Sequence, residues 1–530
     1  MTKSYPRILI IGLDGADFNL VKEGQKKDLF ELFSKLNLKR LRTTLPPLTF
    51  PAWSSFLTGV RPDWHGLFDF SKRVGYRVIF TGGWDRKREF IFNVVARKGR
   101  KVILAGFPSL SPIHKIENLI QIGGWDTPFN YKTKGSFVYP IEIYDCAKKA
   151  SLGDFFHLYD RDSDEFNFEL KNYNRFILSL LKRIRKRGRF YRWLLRNYRW
   201  DISAIYFGEI DTVSHFLWQL HDRDSPWNIE STPKSPSSPI FLIYKAIEDE
   251  ILKILGLTSP DIVIILSDHG FIGSSTKLVH LNKFLERHGL LSFKGGRVKV
   301  SHSIRSLVRF IPYRLRGALF KFHNNLLPSI LETYIRFGNI DWERTYLFSE
   351  EINYFPSIWI NLKDREPKGI VKLKEKDRLI EEVKILLKEE LKDPETKKPI
   401  VKEVYLREEL WDGPYASLAP DMILELNNDK NRYRYNIFHS RKDSEVVSFL
   451  PKEAIIRYRK GKLLPGTHNE TALLLFNIDI FEKKELAIWD IADSILKLFD
   501  IKKEELENSL PIHPYHRKIS ERLWALGYIG

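Results

Sequence analysis

Short, unbroken apolar runs that stop at an acidic residue constrain this chain most. Ile8–Gly15 reads ILIIGLDG and Asp261–Gly270 reads DIVIILSDHG. Neither alternates polar with apolar residues, so each predicts a strand buried on both faces. Similar runs recur in KVILAGFP (Lys101–Pro108), DISAIYFGE (Asp201–Glu209) and TALLLF (Thr471–Phe476), and YRVIFTGG (Tyr76–Gly83), SIWINL (Ser357–Leu362) and DMILEL (Asp421–Leu426) extend the series. Helical spacing lies between them, over about Lys26–Leu36, Arg88–Arg97, Phe176–Trp200, Asp211–Leu220, Phe241–Leu255 and Asp377–Leu391, with a last helix begun by Asp490. Strands separated by helices predict an α/β sandwich with a mostly parallel central sheet between helices.

At 530 residues the chain has room for such a domain and a large insertion. The stretch Leu281–Thr345 is basic, aromatic and mostly helical in pattern. It divides the chain into a discontinuous catalytic part, about 1–270 and 346–530, and a helical, basic cap over about 271–345. Lys3 and Arg7 precede a short apolar run that ends in Gly and Asp, which is a strand and not a signal peptide. No stretch reaches the roughly 18 apolar residues of a membrane span, and a cytoplasmic location is expected. The single cysteine, Cys146, excludes an internal disulfide and a cysteine metal cage, and is expected to be a buried small hydrophobe. Glutamine occurs only at 25, 121 and 219, a bias resembling that of hyperthermophilic proteins. The net charge of +19 favours anionic partners without choosing among them.

In LPPLTFPAWSSFLTG (Leu45–Gly59), Thr49 is expected to open a short helix and cap it with its hydroxyl, while Pro51 tolerates the first turn and Gly59 ends it. A hydroxyl at the positive end of a helix dipole, facing Asp14 from a strand end, is also placed to be a metal-activated nucleophile for a phosphate ester. Taken alone, capping is the commoner role.

Four patches of Asp and His fall at or just after strand ends, where parallel sheets bind ligands. Asp14 ends the first strand. Asp211 and His215 stand one helical turn apart on a common face. Asp268 and His269 end the SDHG run, and His468 lies in the turn PGTHNE. Each has an ordinary structural explanation, as a turn former, a solvated helix face or a hydrogen-bonded histidine. Together they amount to three carboxylates and three imidazoles, enough for two divalent cations, Zn²⁺ first and Mn²⁺ second, with Thr49 as a further ligand.

The ordered set of Asp14, Thr49 in LTFPAWSSFLTG, Asp211–x–x–x–His215, Ser267–Asp268–His269–Gly270 and Gly466–Thr467–His468 resembles the alkaline phosphatase superfamily. Within it the chain is most similar to bacterial and archaeal members of the type I phosphodiesterase/nucleotide pyrophosphatase family, which share segments like GGWDTP and EIDTVSHFLW; the terminal LWALGYIG adds to the likeness. The resemblance implies an alkaline-phosphatase-like fold. It also implies one zinc held by Asp14, Asp268, His269 and Thr49, a second held by Asp211, His215 and His468, and Thr49 as a nucleophile that is transiently phosphorylated. A sulfatase would need Cys or Ser at 49 and a basic residue at 53, where this chain has Thr49 and Trp53. The related phosphoglycerate mutases use serine. In RPDWHGLFDF, Phe70 stands where the nucleotide pyrophosphatases carry an oxyanion-holding Asn, beside an Asp69 that would repel phosphate.

The expected activity is metal-dependent hydrolysis of small phosphoric esters, diesters preferred, by double displacement at Thr49. The alternatives are a phosphomonoesterase or phosphomutase, or a basic polyanion- or membrane-binding protein with a structural metal site. Residues 181–200 bear on the last of these. Nine basic side chains surround Phe190, Tyr191, Trp193, Leu194 and Leu195, and Gly188 interrupts the pattern. The segment suits an anionic membrane or polyanion beside the cap, or else a helix packed on the sheet with a solvated arginine surface.

Overall fold

A computed structural model of the chain describes residues 5–124, 137–150, 152, 168–235, 237–295, 326–456, 463–502 and 505. Its centre is a nine-stranded sheet. In chain order the strands are β1 (Ile8–Leu13), β2 (Asn37–Arg42), β3 (Val102–Ala105), β4 (Leu119–Ile122), β5 (Val138–Tyr139), β6 (Ile202–Phe207), β7 (Ile262–Leu266), β8 (Thr471–Phe476) and β9 (Leu486–Ala487). They lie side by side as β9-β2-β8-β7-β1-β6-β3-β4-β5. The five strands from β7 to β4 are parallel, β8 runs antiparallel to both neighbours, and β5 is an antiparallel edge. Helices cover both faces and enclose two separate apolar clusters, which is why β1, β6 and β7 have no exposed side.

Several elements differ from expectation. The first helix is Phe18–Lys26, not 26–36, because the Asp17 carboxylate caps it by accepting the Asn19 and Leu20 N–H groups at 2.8 and 3.0 Å. Past Lys26 the N–H groups of Leu32 and Phe33 are taken by the buried Glu248 carboxylate at 2.8 and 2.9 Å, which replaces a helical ladder. Residues Arg77–Phe80 pair only with Ser71–Val74, in a hairpin off the main sheet. Ser357–Ile360 and Met422–Leu426 belong to a four-stranded antiparallel sheet with Leu347–Phe348 and Val401–Leu406, packed around a third apolar cluster that draws on Val78 and on residues from Val279 to Val447. Of the expected cap, residues 296–325 lie outside the described residues, as do 125–128 of GGWDTP and the terminal LWALGYIG. Cys146 is exposed, because the inward face of its helix is taken by Ile143, Tyr144 and Ala147.

The strand Gly270–Val279 joins the two regions. Its first four residues pair with Gly466–Asn469, in register Phe271 to His468, and its second half pairs with Tyr433–Ile437 and Val447–Phe449.

The basic segment forms one helix, Tyr173–Asn197, packed on Pro239–Thr258 and β6 within the main region. Ile184, Phe190, Tyr191, Leu194 and Leu195 are buried and Trp193 packs half-buried against them, so the rings suited to a lipid interface are largely taken up by the core. Gly188 does not break the helix, since Glu250, which pairs with Arg192, fills the space a Cβ would need. The structure thus supports the packed-helix alternative and gives no support to a membrane or polyanion partner. Among the described residues no helix is long and apolar enough to cross a membrane.

Arg187 and Arg183 close on the fully buried Glu209 at 3.3 and 3.1 Å, and Arg187 also donates to the Tyr206 carbonyl at 3.2 Å. Removing one partner of a buried pair leaves an uncompensated charge. Glu209→Ala is therefore expected to destabilise the fold by about 3–5 kcal/mol, measured by urea unfolding.

Candidate active site

The three adjacent central strands β7, β1 and β6 deliver their chemistry at one edge. Asp14 directly follows β1, Asp268 and His269 follow β7, and β6 leads through Gly208 into the helix Glu209–His221, which carries Asp211 and His215. Gly15, at φ 67°, makes the turn after Asp14; a Cβ there would meet the Asp211 backbone at 3.0 Å, so glycine is what lets that helix approach. His468 arrives on Gly466–Asn469, laid beside Phe271 by the antiparallel ladder.

All the residues singled out from the sequence come together. His215 Nε2 lies 3.0 Å from His468 Nε2, and Asp211 Oδ1 lies 3.4 and 3.3 Å from these two nitrogens. Around His269 Nε2 stand Asp268 Oδ2 at 3.2 Å, Thr49 Oγ1 at 3.4 Å and Asp14 Oδ1 at 3.6 Å. Asp211 also groups with Asp14 and His269, so its carboxylate belongs to both clusters.

Each imidazole has its Nδ1 against a carbonyl, which can only accept: Gly466 for His215 at 2.9 Å, Pro47 for His468 at 3.0 Å and Gly270 for His269 at 3.2 Å. A neutral ring that donates from Nδ1 presents a bare lone pair at Nε2. Two such lone pairs 3.0 Å apart, or one facing carboxylate oxygens, repel unless a cation lies between them. The oxygens Asp14 Oδ1, Asp211 Oδ1 and Asp268 Oδ2 are likewise buried without a hydrogen bond. A tetrahedral ion with bonds of about 2.0–2.1 Å sets its ligand atoms roughly 3.3 Å apart. The observed spacings of 3.0–3.6 Å fit that demand.

The charge balance agrees. Burial, then the nearby carboxylates of Asp268 and Asp211, push Asp14 well above the usual range, and burial carries Asp268 up to about 8. Burial keeps His269 neutral. At Asp14 and Asp268 the site thus disfavours its own anions, a balance suited to divalent cations.

Thr49 opens the helix Thr49–Thr58, but it is not the cap. That position is Leu48, without a side-chain hydrogen bond, and the Thr49 hydroxyl instead faces His269. Pro51 sits in the first turn and Gly59 ends the helix in the left-handed region, as expected.

Other residues of the site went unremarked in the sequence. Asp14 Oδ2 accepts from the Tyr206 hydroxyl and, at 3.4 Å, from Trp53 Nε1, which leaves Oδ1 for the site. Trp53 was readable in principle, since it stands one turn after Thr49. The carboxylate of Asp17 accepts the Phe271 N–H at 3.2 Å and the Thr471 hydroxyl, anchoring the loop of Asp268 and His269. Tyr354 stacks on His468, and nothing in its local sequence marks it.

Two clusters of this composition, facing a threonine hydroxyl at the carboxyl ends of a mainly parallel sheet, are groups that could hold metal ions for hydrolytic chemistry. The sequence profile of the type I phosphodiesterase/nucleotide pyrophosphatase family matches residues 8–437, and the chain belongs to that family. It is thus a phosphoester hydrolase from a metal-dependent family. A phosphonoacetate hydrolase from Sinorhizobium meliloti 1021, solved with phosphonoformate, shares the fold at 13% identity and TM-score 0.54, over 93% of this chain and 96% of its own. Murine ectonucleotide pyrophosphatase/phosphodiesterase 5 aligns at 11% identity and TM-score 0.46, over 94% and 95%. A search of curated protein sequences returns no match.

Asp69 does not confront the site as an open anion. Its carboxylate accepts the Phe70 N–H at 2.7 Å and the Ser71 hydroxyl at 3.2 Å, while the Phe70 ring packs on Phe50 at 4.6 Å. Burial raises Asp69 to about 6, against the opposing charge of Arg336. A carboxyl raised in the folded state contributes stability below its unfolded value near 4, and loses it as pH rises through about 6. Asp69→Asn is accordingly expected to flatten the stability profile between pH 4 and 7, removing a fall of roughly 3 kcal/mol; chemical unfolding across that range measures it.

Proposed function

We propose that the protein is a two-metal phosphodiesterase that works by double displacement through Thr49. The observation that carries this reading is the set of bare Nε2 lone pairs, each anchored through Nδ1 and turned toward buried carboxylate oxygens. In this reading Asp14, Asp268, His269 and Thr49 hold one ion, and Asp211, His215 and His468 the other, with Zn²⁺ preferred for its imidazole and carboxylate ligands and Mn²⁺ as second choice. Divalent cations held there supply Lewis-acid charge that lowers the pKa of a coordinated hydroxyl and neutralises phosphoryl oxygens.

The chain's own residues account for the rest. The Thr49–Thr58 helix directs its positive end at the phosphate and presents the Thr49 hydroxyl, which is 6% exposed and free of any capping role. Attack by Thr49 Oγ1 displaces the first alcohol and leaves a phosphothreonine, and water then displaces Thr49. Tyr206 and Trp53 keep Asp14 aimed, and the burial of Asp14, Asp268 and His269 limits competing water at that cluster. Diesters are preferred because a monoester brings an extra negative charge. Arg434, which touches a ligand residue, is already committed to the His468 carbonyl at 3.1 Å and to Glu470 at 3.0 Å.

Thr49→Ala should lower kcat for bis(4-nitrophenyl) phosphate by three or more orders of magnitude, with two ions per chain and the unfolding midpoint retained; near-native rates would refute Thr49 as nucleophile. Stripping the protein with a chelator should abolish turnover, and added Zn²⁺ or Mn²⁺ should restore it. In the restored protein kcat/KM should be higher for bis(4-nitrophenyl) phosphate than for 4-nitrophenyl phosphate. The reverse order would favour a monoesterase.

A further inference from the structure

Residues 349–355 link the strands Leu347–Phe348 and Ser357–Ile360, and this link is held with unusual thoroughness. Glu351 sits at φ 52°, a backbone region that costs a non-glycine residue about 1–3 kcal/mol unless its surroundings enforce it. They do so here. The Glu351 carboxylate accepts the Asn282 N–H at 2.9 Å, the Ser440 N–H at 2.6 Å and the Ser440 hydroxyl. The Asn282 side chain answers Ser349 in both directions, donating to its carbonyl at 2.8 Å and accepting its N–H at 2.7 Å. Asn353 Oδ1 accepts the Ile437 N–H at 2.8 Å, and Phe355 is buried among Phe68, Trp411 and Ile423.

What this framework delivers to the site is Tyr354. Its ring stacks on His468, with centroids 4.5 Å apart and planes 18° apart, and stands edge-on to His215 at 6.4 Å. The His269 ring also stacks on His468, at 3.7 Å and 20°. The imidazole of His468 is thereby held between two rings, with the edge of Phe271 at 5.4 Å. The bond from Nδ1 to the Pro47 carbonyl fixes where this imidazole sits but leaves it free to turn about that bond. Stacking on both faces removes the rotation, so Nε2 stays directed at Asp211 and His215.

We propose that Tyr354 is a positioning residue for the Asp211–His215–His468 cluster, and that through it the 349–355 link, which lies in the smaller sheet, governs how tightly that cluster holds its ion. The proposal rests on the reading above, in which the cluster binds a divalent cation. In this proposal the ring is the operative part of Tyr354, and the contact of its hydroxyl with Thr467 is secondary.

Equilibrium dialysis of the full-length, metal-stripped protein against buffered Zn²⁺, read by elemental analysis, tests this. Wild type and Tyr354→Phe should each bind two ions with matching affinities. Tyr354→Leu should bind one ion as wild type does and the other at least about tenfold more weakly, with turnover recovered in excess Zn²⁺. Tyr354→Met fills similar space with a flexible chain and no ring, and should give the same result if the leucine variant does not fold. Native affinity for both ions in the leucine or methionine variant would overturn the proposal alone. A wild type that binds no ion would overturn the metal reading and the proposal with it. Weakening in Tyr354→Phe equal to that in Tyr354→Leu would also overturn it, by assigning the effect to the hydroxyl.

Discussion

Mutual repulsion at one edge of a sheet is the constraint to which the rest of this structure answers. Three carboxylates and three imidazole lone pairs face one another within hydrogen-bonding distance, yet few of these contacts contain a hydrogen. Nothing in the cluster itself would hold that arrangement in a metal-free chain. It is imposed from outside, by buried parallel strands on both sides of Asp14, by carbonyls that fix each Nδ1, and by Tyr206, Trp53 and Gly15, which orient the carboxylates. Rigidity of this kind is what preorganised catalysis requires, because the site then pays no reorganisation when charge develops on the phosphoryl group.

The basic helix shows the same logic at one remove. A buried arginine is costly on its own, but Arg187 sits where it neutralises Glu209 at the start of the Asp211 helix and donates to the carbonyl of Tyr206, the residue that holds Asp14. A feature that reads in the sequence as a surface for anions thus serves in part to brace the backbone beneath Asp14 and Asp211. Its exposed arginines remain a solvated face, for which the ion pairs around Glu209 and Glu250 provide the inner counterpart.

Much of the sheet was legible because continuous apolar runs such as ILIIGL and IVIIL have few alternatives to a buried parallel strand, and Asp14, Asp268 and His269 stood out as the polar residues that end them. His468 was legible only as one member of an ordered set, since a histidine in a turn has no distinguishing pattern. The errors have physical sources. SIWI and MILEL look like main-sheet strands because periodicity reports burial, not which sheet a strand joins. The helix expected over 26–36 was displaced by Glu248, more than two hundred residues away, whose carboxylate takes the N–H groups that the helix would have used. Tyr206, Asp17 and Tyr354 act through contacts distant in sequence, and no local motif records them.

The strand Gly270–Val279 begins beside His269 and ends deep in the smaller sheet, so a single run of backbone belongs to both the reaction centre and the region above it. At this crossing there is no linker to flex, and the two regions share one frame. Diversification of such an enzyme therefore has little scope for re-angling one region against the other. It is confined to the connections hung on that frame, and one of these, 349–355, reaches His468 through Tyr354, so a change there carries over to the site.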